Sequence, residues 1–428
     1  MITTAELYQI YKQYPSVQTD TRQLKPGSIF FALKGDNFNG NTFALHALNS
    51  GAAYAITDEE NEAKNDKLIL VDDALQTLQT LAKYHREQFS TAIPFIAVTG
   101  SNGKTTTKEL IHAVLSSHYI TYTTQGNLNN HIGVPLTLLK IKLDAQMAVI
   151  EMGANHLHEI AGYCVYAQPT HGIITNCGKA HLEGFGSIEG VRKGKGELYD
   201  YLRATNGAAI AFDDYDYLHQ MSHEIDPIYW YGTQHGDVTG IAKENSSFLE
   251  VSFNNGFSLS PVITQLVGNY NLPNVLCAVA AGKYFNVPEE KIKRAIENYI
   301  PSNSRSQLME KDGNKIILDA YNANPSSMKA AVENFANVKA DCKVLMLGSM
   351  AELGEDSVKE HRQLIKLINR YSFTTVVLVG KYFDAISHSY LHFDTAKEAQ
   401  EWFKKQNLHN AYLLIKGSRS MQMEAIIN

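Results

Sequence analysis

The segment IPFIAVTGSNGKTTT, residues 93–107, joins an apolar run to a glycine-containing turn and a helix start. The run Ile93–Thr99 predicts a buried strand, and a helix is predicted from about Lys104 to Ser117. Glycines in the turn Gly100–Gly103 would let backbone N–H groups approach phosphate oxygens, and the helix N-terminus adds a favourable dipole. A strand, such a turn and a helix in this order predict the start of a phosphate-binding α/β domain.

The turn and the first residues of the helix supply the groups expected around a nucleotide. They are Gly100, Ser101, Asn102, Gly103, Lys104, Thr105 and Thr106. Lys104 would reach the β- and γ-phosphates, and the Thr105 hydroxyl would ligate Mg²⁺. The spacing is a variant of G-x-x-x-x-G-K-[ST], because Val98 stands where the first glycine is usual. The alternative is an ordinary strand-to-helix turn that contains Gly and Lys.

Composition restricts the classes of protein to consider. The chain has 428 residues and a formal net charge of −6, with 44% hydrophobic and 19% charged residues. At about 150 residues per domain, this length predicts roughly three domains. The lack of a basic excess argues against nucleic-acid or anionic-membrane binding, since phosphates need clustered cations. No apolar run of about 18 residues and no signal-peptide pattern is present, so we expect a cytoplasmic protein without a membrane span.

Cysteine use fits a reducing compartment. The four cysteines form no C-x-x-C pair and lie in apolar surroundings; they are Cys164, Cys177, Cys277 and Cys342. We expect buried free thiols rather than disulfides or a zinc site.

The pattern of apolar runs and turns divides the chain into three α/β blocks, residues 1–90, 91–300 and 301–428. The elements predicted in the first two blocks are strands at 28–33, 53–57, 93–99, 147–152 and 172–176 and helices at 43–50, 73–89, 104–117 and 271–285, the last with Asn271 as its cap. The stretch from about 207 to 265 is strand-like, with less helical character.

The third block contains four apolar strands that each end in a polar turn. They are Lys315–Asp319, Lys343–Leu347, Thr374–Val379 and Ala411–Ile415. Continuous apolar strands alternating with helices predict a parallel sheet covered on both faces. Ligands of such sheets bind beyond the carboxyl ends of the strands. The segments there are 320–325, 348–352, 380–381 and 416–420, and all are rich in polar, amide or cationic groups.

Further residues could act beside the phosphate loop. Glu151 ends a predicted strand, where a carboxylate can hold a second metal ion or orient water, although a capping or salt-bridged glutamate is an equal alternative. His181 follows the next predicted strand, but a lone histidine is more often structural. The run Lys193–Glu197 is typical of a solvated helix face, and residue type alone distinguishes neither Lys193 nor Lys195.

Several stretches together resemble the Mur ligase family. They are TGSNGKTTTKE (99–109), GNLNNHIGVPLTLL (126–139), EMGANH (151–156), AHLEGFGS (180–187) with KGE (195–197), DAYNANPSSM (319–328), LGSMAELGEDS (347–357) and KGSRSMQME (416–424). The resemblance covers nearly the whole chain. It implies a three-domain Mur ligase architecture of the α/β class. A small N-terminal α/β domain, a central P-loop ATPase-like parallel-sheet domain and a C-terminal Rossmann-like domain would correspond to the three blocks.

The resemblance also implies the nucleotide and metal site. Residues Gly100–Thr106 would bind the ATP phosphates. Asn271 and Arg305 match positions that contact adenine and phosphate, and Asp319 matches a position on the ribose side of the nucleotide. Two Mg²⁺ ions are implied, one on Thr105 and the other on Glu151 and His181. Lys195, matched through KGE, would be carbamylated by CO₂ and bridge to that metal as an anion. The residues implied to be catalytic are Lys104, Glu151, His181 and Lys195.

The implied substrate contacts lie in all three blocks. The UDP part of the substrate would be bound by Asp20, Thr21, Arg22 and Gly35. A muramoyl-peptide would face Asn127 and Asn130. An incoming dipeptide would be bound with the help of Tyr321, Asn322, Asn324 and Lys416.

The implied reaction is the ATP-dependent joining of D-alanyl-D-alanine to UDP-N-acetylmuramoyl-tripeptide through an acyl phosphate, in peptidoglycan precursor synthesis. A monomer is expected.

Three alternatives to this reaction remain. The chain could be a sister ligase that adds a single amino acid, including the folylpolyglutamate type, although YNANP and MAELG argue against these. It could be a P-loop kinase or phosphotransferase that forms no amide bond. It could also be a nucleotide-dependent binding module, which the joint presence of the four implied catalytic residues disfavours.

Overall fold

A computed structural model describes residues 2–60, 65–243, 248–302 and 304–428. The elements up to residue 86 are α1 (Thr4–Gln13), β1 (Val17–Gln18), β2 (Ile29–Phe31), β3 (Lys34–Gly35), β4 (Phe38–Asn39), α2 (Ala44–Asn49), β5 (Tyr54–Thr57), β6 (Leu68–Leu70) and α3 (Ala74–Arg86). Four strands form a parallel sheet in the order β1-β2-β5-β6, and β3 and β4 form a separate hairpin. Helices α1 and α3 pack together through their buried faces.

The central region is built on a nine-stranded sheet. Its elements are β7 (Phe95–Thr99), α4 (Lys104–Ser116), β8 (Thr121–Thr123), α5 (Gly133–Leu138), β9 (Met147–Glu151), α6 (Glu159–Ala167), β10 (His171–Ile174), α7 (Leu182–Phe185), α8 (Ile188–Thr205), β11 (Ala208–Phe212), α9 (Asp216–Met221), β12 (Ile228–Gly232), β13 (Val238–Ala242), β14 (Glu250–Asn255), β15 (Val262–Ile263), α10 (Leu272–Tyr284) and α11 (Glu289–Glu297). The strand order is β15-β14-β13-β12-β11-β10-β7-β9-β8. Strands from β8 to β13 run parallel, and β14 and β15 add antiparallel pairs at the other edge.

The third region is built on a six-stranded sheet. Its elements are β16 (Gln307–Lys311), β17 (Asn314–Asp319), α12 (Pro325–Ala336), β18 (Lys343–Gly348), α13 (Ser357–Ile368), β19 (Thr375–Val379), β20 (Leu391–Phe393), α14 (Ala396–Lys405) and β21 (Tyr412–Lys416). The order is β16-β17-β21-β18-β19-β20, and only the β16–β17 pair among these described strands is antiparallel.

Both faces of the third sheet are covered, as its apolar strands predict. Along β17, Ile316 and Leu318 pack into one apolar core, whereas Ile317 faces the core that continues into the central region. Successive strand residues point to opposite faces, so a strand that is apolar at every position needs a layer on each side. The predicted parallel sheet of the third block is therefore confirmed.

The central sheet places the phosphate loop at its carboxyl edge. Strand β7 lies between β9 and β10 and is fully buried, and α4 begins at Lys104 immediately after the loop. Helix α10 is apolar along most of its length and packs against α4 and strands β11–β13. This packing holds the amino end of α4 against the carboxyl ends of the neighbouring strands.

Two details of the sequence interpretation need correction. Cys342 is only half-buried because it precedes β18 rather than lying within the sheet, whereas Cys164, Cys177 and Cys277 are buried free thiols as expected. Asn271 occupies the cap position of α10, as predicted, but its side chain makes no capping hydrogen bond. Its backbone is already helical, whereas a capping residue normally has extended geometry. Among the described residues, no helix has the length and apolarity needed to cross a membrane.

Candidate functional site

A cleft of about 730 Å³ brings together most of the residues that the sequence singles out. Those that line it are Ser101, Asn102, Gly103, Lys104, Thr105, Thr106, Asn127, Asn130, Glu151, His181, Asn271, Arg305, Asp319, Tyr321, Asn322, Asn324 and Lys416. They come from the central and third regions, so the carboxyl edges of two sheets share one cavity. Six of the predicted site residues do not line this cleft; they are Asp20, Thr21, Arg22, Gly35, Gly100 and Lys195.

The phosphate loop requires glycine at two positions. Gly100 has φ +141°, and a Cβ atom there would lie 2.0 Å from Thr175 Oγ1. Gly103 has φ +79°, and a Cβ atom would lie 2.6 Å from Asn274 Oδ1. These left-handed conformations and close approaches exclude larger residues and leave the loop backbone open to a ligand.

Lys104 lies over the loop with its ammonium group inside the cleft. Its Nζ donates to the carbonyl oxygens of Gly100 at 2.8 Å and Ser101 at 3.3 Å. Burial lowers the pKa of Lys104, while Glu151 opposes this shift. A desolvated cation held by neutral carbonyl groups is well placed to exchange those partners for phosphate oxygens.

Glu151 is a buried carboxylate with one unsatisfied oxygen. It ends β9 with 1% of its surface exposed, and its Oε1 accepts a hydrogen bond from Asn129 Nδ2 at 2.7 Å. Its Oε2 is buried and has no hydrogen-bond partner among the described residues. A buried carboxylate oxygen without a partner costs free energy, so a bound cation next to Glu151 Oε2 fits this site. Oxygen ligands such as this carboxylate and the Thr105 hydroxyl suit Mg²⁺.

Burial distinguishes the two lysines of helix α8. Lys193 is exposed, whereas Lys195 is 1% exposed and its Nζ donates to the Ala154 carbonyl at 2.9 Å. Ala154 lines the cleft, so the ammonium group lies directly behind its wall. Burial, helped by the charge of Lys104, lowers the pKa of Lys195 to about 7. A large fraction of Lys195 is therefore a neutral amine near physiological pH.

His181 meets an acidic residue from the third region. Its Nδ1 lies 2.6 Å from Glu352 Oε2. The contact is close but is not aligned as a hydrogen bond. The contact with His181 lowers the pKa of Glu352, and the charge of Lys104 adds to this effect.

The third sheet contributes an interlocked set of polar groups to the cleft. Asp319 accepts hydrogen bonds from Lys416 Nζ at 2.6 Å and from the Ser306 backbone N–H at 3.1 Å. The guanidinium group of Arg305 lies 3.5 Å from the centre of the Tyr321 ring. These contacts hold a cation, an aromatic ring and a carboxylate at the carboxyl edge of β17 and β21.

Comparison with known proteins identifies the family. Sequence profiles match at residues 13–86 (Mur ligase family, catalytic domain), 98–282 (Mur ligase middle domain) and 304–419 (Mur ligase, glutamate ligase domain). The UDP-N-acetylmuramoyl-tripeptide–D-alanyl-D-alanine ligase of Bacillus subtilis (strain 168) is 34% identical over 96% of this chain and 92% of its own length. The chain belongs to the Mur ligase family.

Solved structures of Mur ligases have the same fold. MurF from Acinetobacter baumannii is 30% identical, with a TM-score of 0.87, and the match covers 98% of this chain and 96% of that one. MurF ligase from Thermotoga maritima in complex with ADP is 26% identical, with a TM-score of 0.84 and 96% coverage of both chains. The three-domain Mur ligase architecture expected from the sequence is confirmed.

Several asparagines of this Mur ligase also have structural roles. Asn130 Oδ1 accepts from the Gly133 N–H at 2.8 Å, at the start of α5. Asn324 caps α12, and its Nδ2 also donates to Asn102 Oδ1 at 2.7 Å, which joins the third region to the phosphate loop. Asn271 Nδ2 donates to the Val267 carbonyl at 2.9 Å. These amides hold the walls of the cleft in place.

The residues expected to bind the UDP part of the substrate lie apart from the cleft. Asp20 caps the turn Thr21–Gln23 and pairs with Arg22 at 2.8 Å. Hydrogen bonds from Arg22 lower the pKa of Asp20 to about 2. Gly35 lies in the exposed β3–β4 hairpin. The Arg22 side chain is 88% exposed, so its guanidinium group is accessible to a ligand.

Two residues that contact predicted site residues were missed by sequence reasoning from single motifs, and of these Asn129 lines the cleft. Asn129 orients Glu151, and Glu352 contacts His181, yet neither is among the predicted site residues. Asn129 could have been found, because it follows Asn127 in the GNLNN stretch. Glu352 lies in the polar segment 348–352 that the sequence places beyond a strand end, but its contact with His181 gives no local signal, because it joins positions 171 residues apart in the chain.

Proposed function

We propose that this Mur ligase joins D-alanyl-D-alanine to UDP-N-acetylmuramoyl-tripeptide at the expense of ATP. One observation carries the proposal: a single cleft holds a glycine-bounded phosphate loop, the unsatisfied Glu151 carboxylate and, behind its wall, Lys195. The relative from B. subtilis is named for this reaction, and the T. maritima relative binds ADP.

The reaction would proceed in two steps. The terminal carboxylate of the tripeptide attacks the γ-phosphorus of ATP, so that the bond to the ADP oxygen breaks and an acyl phosphate forms. The free amine of the dipeptide then attacks the acyl carbon and loses a proton, and phosphate leaves as the amide bond forms. Most of the rate would come from holding these groups in line.

The residues of the chain would bind and orient the reacting groups. Lys104 and the backbone N–H groups at the start of α4 would bind the phosphates of ATP. Thr105 would hold one Mg²⁺, and Glu151 and His181 a second. When bound, these ions would neutralise charge on the transferred phosphoryl group.

Lys195 is proposed to carry a carbamate. Its amine, neutral in part because burial lowers its pKa to about 7, would add to CO₂ with formation of an N–C bond and release of a proton. The product is an anion in place of a cation. A buried anion next to the cleft wall would attract the metal ion of Glu151 and His181, whereas a buried ammonium group would repel it.

The remaining assignments follow the three regions of the chain. We propose that residues 1–90 bind the UDP part of the substrate, that residues 91–300 bind ATP, and that residues 301–428 bring the dipeptide to the cleft. The contacts to the UDP part would come from Asp20, Thr21, Arg22 and Gly35.

The other ligands would be contacted by residues of the cleft. The dipeptide would contact Tyr321, Asn322, Asn324 and Lys416, and the muramoyl-peptide would contact Asn127 and Asn130. Asn271, Arg305 and Asp319 would contact the nucleotide. The protein would act as a cytoplasmic monomer.

Phosphate release from ATP tests the proposal. The purified protein is incubated with UDP-N-acetylmuramoyl-tripeptide, with and without D-alanyl-D-alanine, and the product is weighed by mass spectrometry. Release that requires both substrates, with a product heavier by one dipeptide, is expected. Release that responds instead to a single amino acid would indicate a sister ligase. Release without any amine acceptor would indicate another phosphotransferase.

A further inference from the structure

We propose that Glu352 is a positioning residue that holds His181 in place from the third region, so that the second metal site is complete only when that region is docked. The proposal rests on the proposed function, because it concerns the histidine assigned there to a metal ion. It assigns a role to a residue that neither the phosphate loop nor the substrate contacts use.

The contact itself joins two separate sheets. Glu352 lies on the loop after β18, and His181 lies between β10 and α7 of the central region. The 2.6 Å contact between Glu352 Oε2 and His181 Nδ1 occupies one ring nitrogen. The other nitrogen, Nε2, is then the one available to a metal ion.

The backbones of both partners are held in an uncommon conformation. His181 has φ +52° and Glu352 has φ +62°. Residues with a side chain seldom adopt this left-handed region, so the surrounding contacts must hold them there. One such contact is the hydrogen bond from the Glu183 N–H to the Glu352 carbonyl at 3.3 Å. The two loops therefore fix each other through both backbone and side chain.

The chemistry of metal ligands indicates what the contact between Glu352 and His181 does. A ligating histidine is usually oriented by a second group at its other ring nitrogen, often a carboxylate, and this outer partner raises its affinity for the metal. Here the outer partner comes from a different region than the ligand. Undocking the third region would remove Glu352 from His181 and so weaken the metal site.

Binding of Mn²⁺ in the presence of saturating ADP tests the inference, with free Mn²⁺ measured by electron paramagnetic resonance. Glu352→Gln keeps the size of the side chain and removes its charge. We expect a loss of Mn²⁺ affinity of roughly 10- to 100-fold, the range typical of outer-shell partners. The affinity for ADP without metal and the unfolding temperature should stay at their wild-type values.

Glu355→Gln is the matched control, because Glu355 is an exposed carboxylate three residues further along the chain with no ion pair among the described residues. It should bind Mn²⁺ as the wild type does. Glu352→Asp, which keeps the charge but shortens its reach, should give a loss smaller than that of Glu352→Gln.

The outcomes separate this inference from the proposed reaction. Unchanged Mn²⁺ affinity in Glu352→Gln would overturn the inference while leaving the ligase activity intact. An equal loss of ADP and Mn²⁺ affinity would also overturn it, since that indicates a general interface role. A selective loss of Mn²⁺ affinity supports the inference even if phosphate release shows a different acceptor than the dipeptide.

Discussion

At the scale of single residues, Lys195 shows how burial changes chemistry. Its ammonium group is desolvated, and its pKa falls to about 7. We predict that Lys195→Ala abolishes phosphate release, and that short-chain carboxylic acids restore part of it, because they can supply an anion in the space vacated. The assay is phosphate release with both substrates, with Lys193→Ala as the control. Full activity of Lys195→Ala without any added acid would contradict the carbamate.

Lys195 should also make folding depend on pH. In the unfolded chain its pKa returns to the ordinary lysine value of 10.5, so between pH 7 and 10.5 the unfolded state binds a proton that the native state lacks,. This penalty on the native state is complete below pH 7 and is lost as pH rises towards 10.5. Lys195→Met should therefore be the more stable protein at pH 6–7, by an amount on the order of a few kcal/mol.

The measurement for Lys195→Met is urea unfolding in CO₂-free buffer, for the variant and the wild type at several pH values. The difference in free energy of unfolding should shrink between pH 7 and 10. A difference that is constant across this range would show that the amine is not desolvated in the native state.

At the scale of elements, the phosphate loop depends on the backbone of Gly100. A Cβ atom there would lie 2.0 Å from Thr175 Oγ1, and φ is +141°. We predict that Gly100→Ala destabilises the protein by about 1–3 kcal/mol and abolishes binding of ATP, because the loop must move away from Thr175, which follows β10. Thermal unfolding and binding of a fluorescent ATP analogue would measure both effects.

Gly162→Ala is the control for this prediction. Gly162 lies within α6, and a Cβ atom added there would meet no neighbouring residue within 4 Å outside its own turn of helix. Alanine should therefore be neutral or stabilising by up to about 1 kcal/mol. If Gly100→Ala bound ATP as well as Gly162→Ala does, the loop would not be the phosphate site.

Strands that consist of a continuous apolar run were predictable from the sequence. The strands β7, β17, β18, β19 and β21 are apolar at nearly every position, and their predicted bounds agree with the structure within one or two residues. Helix α1 lies outside the predicted elements although the pair Thr3 and Glu6 forms a capping box,. Its start was therefore encoded locally, in the spacing of a threonine and a glutamate three residues apart.

The burial of α8 could not be predicted from its own residues. Its lysines and glycines resemble a solvated face, yet Gly194 packs against Phe185 so closely that a Cβ atom would lie 2.4 Å from the ring. Burial of Lys195 depends on this approach between two helices, which no local pattern reports. The same holds for Glu352 and His181, whose contact exists only after the sheets have packed.

At the scale of the whole molecule, the central and third regions share an apolar core and also meet through several polar contacts. Lys179 Nζ lies 2.7 Å from Glu360 Oε1, His181 contacts Glu352, and Asn324 bonds to Asn102. Contacts between domains of one chain usually resemble transient interfaces, so motion between the regions is expected. Because the cleft is lined from both sides, its shape depends on how these regions dock.

The Lys179–Glu360 pair should favour the docked arrangement of the central and third regions over the undocked one. The Glu360 side chain is 3% exposed, so its pairing matters more than that of a surface ion pair,. We predict that the double variant Lys179→Met/Glu360→Gln has a larger radius of gyration than the wild type in small-angle scattering without ligands. Addition of ADP, Mg²⁺ and the UDP-linked substrate should return it towards the wild-type value, because ligands that bridge the cleft favour the docked arrangement.

The exposed pair of Lys83 on α3 and Glu87, the residue that follows this helix, supplies the matched control, with its charged atoms 3.8 Å apart. Lys83→Met/Glu87→Gln removes the same kinds of charge without touching the interface, and its radius of gyration should equal that of the wild type. If both double variants scattered as the wild type does, the Lys179–Glu360 pair would not hold the regions together. In that case docking would depend on the remaining contacts between the regions, among them those of the phosphate loop and His181.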